Sequence, residues 1–226
     1  MEVNGIGMIS ERYSAKDYID LNLSINSDYF TWDKAIEIVK ERFDERFFST
    51  IHYLSMKYSK NIRSYYDSEK IKRNGFAIMA INCLLIDTFF QFKYGLNSSQ
   101  VLNEHTNSRY NSDNYVYFLE TEFPDLFPHT EIREENLARL FYNDIRCGIL
   151  HSAQTYRCSV LAPEGDATIS YTFDDIGNPG IRVNVGELSK RLEYYFDSYI
   201  RQLRDEKNTE LRENFIKKMR FVCNIQ

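Results

Sequence analysis

The sequence predicts an all-α protein, a helical bundle that carries one small β-hairpin at about residues 167–185. Apolar residues recur at three- and four-residue steps over long stretches, which is the period of an amphipathic helix. Glycine and proline are scarce, at 9 and 4 of 226 residues, which disfavours a loop-rich β-sandwich. Only one segment breaks the helical pattern, because β-rich runs at 167–173 and 181–185 flank a turn of Asp, Gly, Asn and Pro residues.

Composition and charge limit the class of protein further. A length of 226 residues suits one domain, and we predict a single domain over 1–226. Hydrophobic residues make up 43% of the chain and aromatic residues 15%, which excludes intrinsic disorder. The 28 Lys and Arg are outnumbered by 33 Asp and Glu, so the formal net charge is −5. Any contact with nucleic acid must therefore come from a local basic patch and not from overall charge.

The first half of the chain contains the two longest predicted helices. Residues 1–29 are polar without sustained periodicity, and we predict an irregular lead-in there. A helix follows over about 31–58. The next helix, over about 68–94, is apolar nearly all round in its second half and is predicted to be the central helix. Gly95 is a natural helix stop because glycine accepts the left-handed backbone that ends many helices.

The second half is predicted to be helical on both sides of the hairpin. Two shorter helices are expected at 98–107 and 112–123. Another is expected over 130–151, where acidic residues crowd the first turns and complement the helix dipole. After the hairpin, C-terminal helices are expected over 187–225, with a break at 205–209.

Neither a membrane span nor a bound metal or cofactor is expected. The N-terminus lacks the basic start and apolar stretch of a secretory signal. The most apolar run, Phe76 to Phe92, is interrupted by polar residues and falls short of the roughly 20 clean residues that a span needs. The four cysteines form no CxxC pair, and no glycine-rich phosphate loop is present. We therefore predict a cytoplasmic protein without metal or cofactor.

The stretch most informative about function is 141–155, FYNDIRCGILHSAQT. It places Arg146 and His151 five residues apart near the end of a predicted helix. A five-residue step on an ideal helix rotates by about 140°, so the two side chains flank one broad face and could converge on a cleft. Asn143 lies three residues before Arg146, on the same side. Because histidine titrates near neutral pH and a guanidinium binds phosphate oxygens in pairs, these residue types suit phosphate chemistry.

The string LFYNDIRCGILHSA, with the apolar stretch NCLLIDTFFQFKYG upstream, resembles the HEPN superfamily (higher eukaryotes and prokaryotes nucleotide-binding) through its R-x4-H motif. The resemblance covers about residues 70–220. It implies a HEPN-type bundle that forms a homodimer and brings two motifs into one cleft. It also implies a metal-independent endoribonuclease or RNA-binding protein of a toxin–antitoxin or phage-defence system, with Arg146 and His151 as the catalytic pair. The implied partners are RNA or a nucleotide, a second copy of the chain and an antitoxin protein.

Several alternatives stand beside this interpretation. Active family members commonly carry Asn, Asp or His directly after the arginine, where this chain has Cys147, and Asn143 or Asp144 is the candidate for that role. The alternative function is a catalytically silent HEPN module that binds nucleotide, RNA or a protein partner through the same cleft. Cys147 and His151, four residues apart, offer a rival thiolate–imidazole chemistry. In a purely structural interpretation, Arg146 and His151 only complement the end of a helix.

Asp87 is a further candidate, in a supporting role. It lies in the apolar central helix, with Cys83 and Gln91 on the same stripe at four-residue steps. A buried carboxylate is costly unless it is paired, so we predict that Asp87 faces Arg146 or His151 across the bundle. The alternative is an aspartate on the helix surface that meets solvent or another basic residue.

Overall fold

The computed structural model shows a mostly helical protein. The described residues are 2–3, 6–59, 62–99, 102, 104–132 and 134–224. Seven helices lie within these residues: α1 (Ala15–Ile19), α2 (29–55), α3 (Ser68–Tyr94), α4 (Asn111–Glu122), α5 (137–152), α6 (Val185–Arg204) and α7 (Thr209–Val222). Two of them, α2 and α5, run through π-helical segments at Asp44–Phe48 and Phe141–Cys147.

Short strands accompany the helices, so the all-α prediction is corrected to a mostly helical fold. Three two-stranded pairs are β1 (Glu2–Val3) with β2 (Ile6–Gly7), β3 (Met56–Ser59) with β4 (Ile62–Tyr66), and β5 (Glu131–Ile132) with β6 (Glu135–Asn136). A three-stranded sheet contains β7 (Val160–Ala162), β8 (Ile169–Phe173) and β9 (Pro179–Asn184), in the order β7-β9-β8. The predicted hairpin is the antiparallel β8–β9 pair, to which β7 adds in parallel.

Several predicted boundaries are wrong for local reasons. The irregular lead-in contains α1, because Ser14 and Asp17 form a capping box that starts a short helix. The helix expected from 130 starts only at Leu137, since the preceding residues form the β5–β6 pair and the Asn136 side chain accepts the Arg139 N–H at 2.7 Å. The predicted helix at 98–107 is described only in part, and its residues 104–107 form turns.

The contacts of the chain divide it into two compact units. The first unit takes the residues up to 50, residues 88–98 and the residues from 193 onward. The second takes 51–87 and 99–192. The single domain expected over 1–226 stays a prediction.

The first unit has an aromatic core. Phe43 of α2 stacks on Phe196 of α6 with ring centroids 4.5 Å apart. Phe89 and Phe92 of α3 also pack on the Phe43 ring, with centroid distances of 5.6 and 5.2 Å. The predicted stop of α3 is confirmed: Gly95 has a φ of +62°, and a Cβ there would lie 2.9 Å from backbone of the same unit. Glycine is therefore the residue that both the backbone conformation and the close packing require.

The second unit joins helices to the three-stranded sheet. Asn82 of α3 donates to the Ser189 hydroxyl of α6 at 2.9 Å, and both side chains are buried. In the sheet, Asp174 closes the β8–β9 turn by accepting the Asn178 N–H at 2.8 Å. The Tyr171 hydroxyl lies 3.1 Å from two backbone carbonyls, those of residues 130 and 135, and so connects β8 to the segment that precedes α5.

Helix α3 is long and apolar enough, by length and composition, to cross a membrane, although we expected the apolar run to be too short. Among the described residues it is the one helix with these properties. Just over half of its apolar window, 56%, is buried inside the protein. This burial is what a core helix of a soluble protein shows, and the fold is consistent with such a protein.

Lys218 of α7 gives the first unit a predicted pH dependence. Burial lowers the pKa of Lys218 to about 8, helped by the charge of Arg42. Between about pH 8 and the ordinary lysine pKa of 10.5, the unfolded chain then holds a proton that the folded chain has lost. Stability therefore rises with pH across this window, by up to about 3 kcal/mol from this group.

Urea unfolding of the wild type and of Lys218→Met over this pH range measures that contribution. We expect the free energy of unfolding of the wild type to increase with pH relative to that of the variant. Tyrosine and cysteine side chains also titrate over this pH range, but they do so in both proteins. Their contributions to the free energy of unfolding therefore cancel in the difference. Parallel curves for the two proteins would show that Lys218 has an ordinary pKa.

Candidate functional site

The site is built on α5, whose middle is π-helical over Phe141–Cys147. Hydrogen bonds in a π-helix join residues five apart, so its turns are wider than those of an α-helix and a five-residue step falls closer to one face. The helix ends at Ala153, which adopts the left-handed backbone (φ +52°) and donates its N–H to the carbonyls of Gly148 and Ile149. The π-helical segment ends at Cys147, so most of the step from Arg146 to His151 crosses the α-helical end of α5, Gly148–Ser152, as the prediction assumed.

The structure brings Arg146 and His151 together. The Arg146 Nη1 atom lies 3.4 Å from the His151 Nε2 atom. A guanidinium only donates hydrogen bonds, so Nε2 takes the acceptor position in this contact. His151 is exposed, whereas the Arg146 side chain is 14% exposed. The His151 side chain is therefore accessible to solvent, whereas the Arg146 side chain beneath it is largely buried.

Asp87 of α3 lies on the other side of the same guanidinium. Its Oδ2 atom is 3.4 Å from Arg146 Nη2, and its side chain is 13% exposed. Burial raises the pKa of Asp87, against the opposing influence of Arg146 and of Ser99. Burial is the largest single influence on the pKa of Arg146 and lowers it, but the charge of Asp87 and the neighbouring Tyr142, Cys147 and Tyr115 together outweigh burial, so the pKa of Arg146 is raised. Of the two partners that the sequence offers for Asp87, the structure selects Arg146.

Tyr142, which the sequence analysis did not single out, completes the surroundings of the arginine. The Arg146 Cζ atom lies 5.4 Å from the centre of the Tyr142 ring, within cation–π range. The buried Tyr115 meets Tyr142 edge to face, with centroids 5.4 Å apart. Burial raises the pKa of Tyr142, and the neighbouring Cys147 raises it further, so the phenol stays protonated at neutral pH. The signal was present in the sequence, since Tyr142 precedes Arg146 by one helical turn.

The remaining predicted site residues are placed differently. Asn143 is exposed on α5. Asp144 is 2% exposed and turns to Arg157 and Ser159, whose side chains donate to its carboxylate at 2.6–3.0 Å. Within the described part of the chain, Asp144 makes no hydrogen bond to Arg146. Asp144 therefore stabilises the segment after α5 that contains Arg157 and Ser159.

Cys147 is half-buried beside Tyr142 and Arg146. No hydrogen bond between Cys147 and His151 is present among the described residues, so the geometry offers little to the rival thiolate–imidazole chemistry. Nor do the described residues contain a group of three or more His, Cys, Asp or Glu side chains that could hold a metal ion.

This arrangement presents an imidazole next to a guanidinium that is held by a carboxylate. The imidazole can accept a proton, and the guanidinium can donate hydrogen bonds to a phosphate oxygen. No protein-family model, curated protein or solved structure matches the chain. What the site does must therefore be inferred from its own geometry and from the motif.

Proposed function

We propose that this chain is a HEPN-type endoribonuclease that cleaves RNA without a metal ion, with Arg146 and His151 as its catalytic residues. The observation that carries the proposal is the 3.4 Å contact between Arg146 Nη1 and His151 Nε2, with Asp87 on the opposite side of the guanidinium. The proposed setting is cytoplasmic, in a toxin–antitoxin or phage-defence system with an antitoxin protein as partner.

The chemistry needs a base, an acid and a stabiliser of negative charge. When substrate binds, His151 Nε2 exchanges its contact with Arg146 for the ribose 2′-hydroxyl. The 2′-oxygen then attacks the adjacent phosphorus and loses its proton to Nε2, and the 5′-oxygen of the next nucleotide leaves. Arg146 stabilises the additional negative charge on the phosphate oxygens, and its partial burial strengthens that interaction. The products are a 2′,3′-cyclic phosphate and a 5′-hydroxyl.

The leaving 5′-oxygen also needs a proton. A single neutral imidazole that has just accepted a proton from the 2′-hydroxyl is not placed to donate another on the opposite side of the phosphorus in the same step. A second copy of the chain would supply a second His151 as the acid. We therefore propose a homodimer in which each substrate phosphate lies between two motifs.

Asp87 is proposed as a positioning residue. Its carboxylate fixes one side of the Arg146 guanidinium, which leaves Nη1 directed at His151. Tyr142 supports the same guanidinium through its ring. Cys147 occupies the position where active HEPN proteins carry a polar residue, and this observation favours the second candidate function, a silent module that binds RNA or nucleotide through the same residues.

The test is RNA cleavage by the purified chain in excess EDTA, with Arg146→Ala and His151→Ala measured in parallel. We expect wild-type cleavage with 2′,3′-cyclic phosphate ends, and a loss of about a hundredfold or more in each variant. His129→Ala is the matched control, because His129 is an exposed histidine of the same unit that pairs with Glu120 at 3.4 Å. Its activity should equal that of the wild type.

Asp87→Asn tests the positioning role in the same assay. The amide keeps the shape of the carboxylate but loses its charge, so we expect kcat to fall by about tenfold with a smaller change in KM. Cleavage that survives in both Arg146→Ala and His151→Ala would refute the site. If several RNAs are bound by the wild type but not cleaved, the silent module replaces the nuclease as the better proposal.

A further inference from the structure

Two arginines of α2 converge on one acceptor in the first unit. Arg42 and Arg46 are one helical turn apart, and Arg42 Nη1 and Arg46 Nη2 lie 3.4 and 3.5 Å from the same carbonyl oxygen, that of Ile9. Both distances are at the outer limit of a hydrogen bond. One carbonyl dipole at this range compensates little of the charge of two guanidinium groups.

Lys218 of α7 adds a third cation. It is 7% exposed, and its Nζ atom donates to Gln91 Oε1 at 2.6 Å and to the Asn97 carbonyl at 3.3 Å. Both acceptors are neutral. Both partners that the described residues give this ammonium therefore lack an opposite charge.

The nearby carboxylates of α2 are committed to other groups. Glu41 accepts from Arg12 and from the Ser10 hydroxyl, and Glu45 accepts the Glu11 N–H at 2.9 Å. Within the described part of the chain, no carboxylate forms an ion pair with Arg42, Arg46 or Lys218. As far as the described residues go, the cluster is thus a concentration of positive charge without a counter-ion.

The electrostatic consequences support this description. Burial lowers the pKa of Arg42 to about 10, and the charge of Arg46 is the next cause. The charge of Arg42 in turn contributes to the low pKa of Lys218. Buried charges are costly unless they are paired, so the cluster would be stabilised by an anion. Since Arg46 is exposed while Arg42 is half-buried, an anion can reach the pair from solvent.

We propose that Arg42 and Arg46, with Lys218 as a third cation, form a binding site for a phosphate group. A phosphate dianion has the charge to compensate two guanidinium groups, and its oxygens accept their paired N–H donors. The ligand is a free phosphorylated small molecule or the terminal phosphate of a nucleic acid. The site lies in the first unit and does not depend on the function proposed for Arg146 and His151.

Inorganic phosphate is the first probe, tested against sodium chloride at matched ionic strength by thermal unfolding and by calorimetric titration of the wild type. We expect phosphate to raise the Tm above its value in chloride. Arg46→Gln should raise the Kd for phosphate by about tenfold or more, the effect of losing charge-assisted hydrogen bonds. Arg201→Gln, an exposed arginine of α6 in the same unit, is the control and should bind phosphate like the wild type.

Arg42→Gln gives a second test, in which stability in chloride and stabilisation by phosphate are expected to change in opposite directions. It removes a half-buried charge, so in chloride its Tm should equal or exceed that of the wild type, while the phosphate effect is lost. If that variant does not fold, Arg46→Gln decides, because an exposed side chain can be replaced without disturbing the core. The proposal is overturned if phosphate stabilises the wild type no more than chloride, or if Arg46→Gln binds phosphate with unchanged affinity.

The source of the phosphate is distinguished with RNA. A short RNA with a 5′-phosphate and the same RNA with a 5′-hydroxyl are titrated into His151→Ala, with and without Arg46→Gln. A preference for the 5′-phosphate that Arg46→Gln removes identifies a nucleic-acid end as the ligand. Equal binding of both RNAs, together with phosphate binding that needs Arg46, identifies a small phosphorylated molecule.

Discussion

Asp144→Ala is expected to lower the free energy of unfolding by about 3 kcal/mol, because it removes the acceptor at the centre of a buried polar network. The Asp144 side chain is 2% exposed. Arg157 Nε donates to both of its oxygens, at 2.9 and 3.0 Å, and the Ser159 hydroxyl donates at 2.6 Å. Ser159 in turn accepts the Ile181 N–H of β9 at 3.0 Å, so the network reaches from α5 to the sheet.

The size of this effect follows from what each partner does afterwards. Ser159 is buried and would be left without its acceptor, which costs free energy. The Arg157 side chain is 37% exposed and keeps a second bond, to Glu135 at 2.6 Å. Arg157 therefore recovers part of its solvation, and the expected cost lies at the lower end of the range for broken buried pairs.

Urea denaturation of Asp144→Ala against the wild type measures this cost. Asp113→Ala is the matched control, because Asp113 pairs with Arg139 at 3.2 Å but both side chains are more than a third exposed. The control should lose less than about 1 kcal/mol. If the two variants lose the same small amount, Asp144 does not hold the network as described.

Gly148→Ala is the second substitution with a large expected effect, about 3 kcal/mol or more. A Cβ at this position would lie 2.4 Å from the carbonyl oxygen of Gln154, far inside van der Waals contact. The obstructing atom is a backbone atom and cannot rotate away as a side chain could. The N–H of the same residue, Gln154, donates to the Gly148 carbonyl at 3.3 Å. Relief requires the segment after His151 to move away from α5, which also disturbs the spacing between His151 and Arg146.

Gly75→Ala serves as the control for Gly148→Ala. Gly75 lies inside α3, and a Cβ there would meet only Val185 Cγ2, at 4.0 Å. It should raise stability by about 0.5–1 kcal/mol, since alanine favours helix over glycine. Thermal unfolding compares the Tm of each variant with that of the wild type. If Gly148→Ala is as stable as Gly75→Ala, the backbone after His151 can move to accommodate a Cβ without measurable cost.

Local features of the fold were predictable because their causes are local. The period of apolar residues predicts the long helices, and the break expected at 205–209 separates α6 from α7. Gly95 ends α3 because its conformation is one that glycine favours. The β8–β9 hairpin follows from two β-rich runs and the turn between them. In each case the residues that decide the structure are neighbours in the chain.

The parts that sequence alone could not decide depend on how residues meet in three dimensions. The π-helical turn of α5 and the approach of Gln154 to Gly148 have no mark in the residue pattern. Asp144 and Asp87 are both aspartates that sequence reasoning assigns to the same site, yet the structure gives one to Arg157 and the other to Arg146.

The sequence by itself determined a mostly helical protein, its hairpin and the spacing of Arg146 and His151. Only the tertiary structure decided which charge each carboxylate meets, and that Arg42 and Arg46 share one weak acceptor. The physical reason is that helix periodicity specifies which face of a helix is buried. The pairing of a buried charge depends on what another element presents to that face.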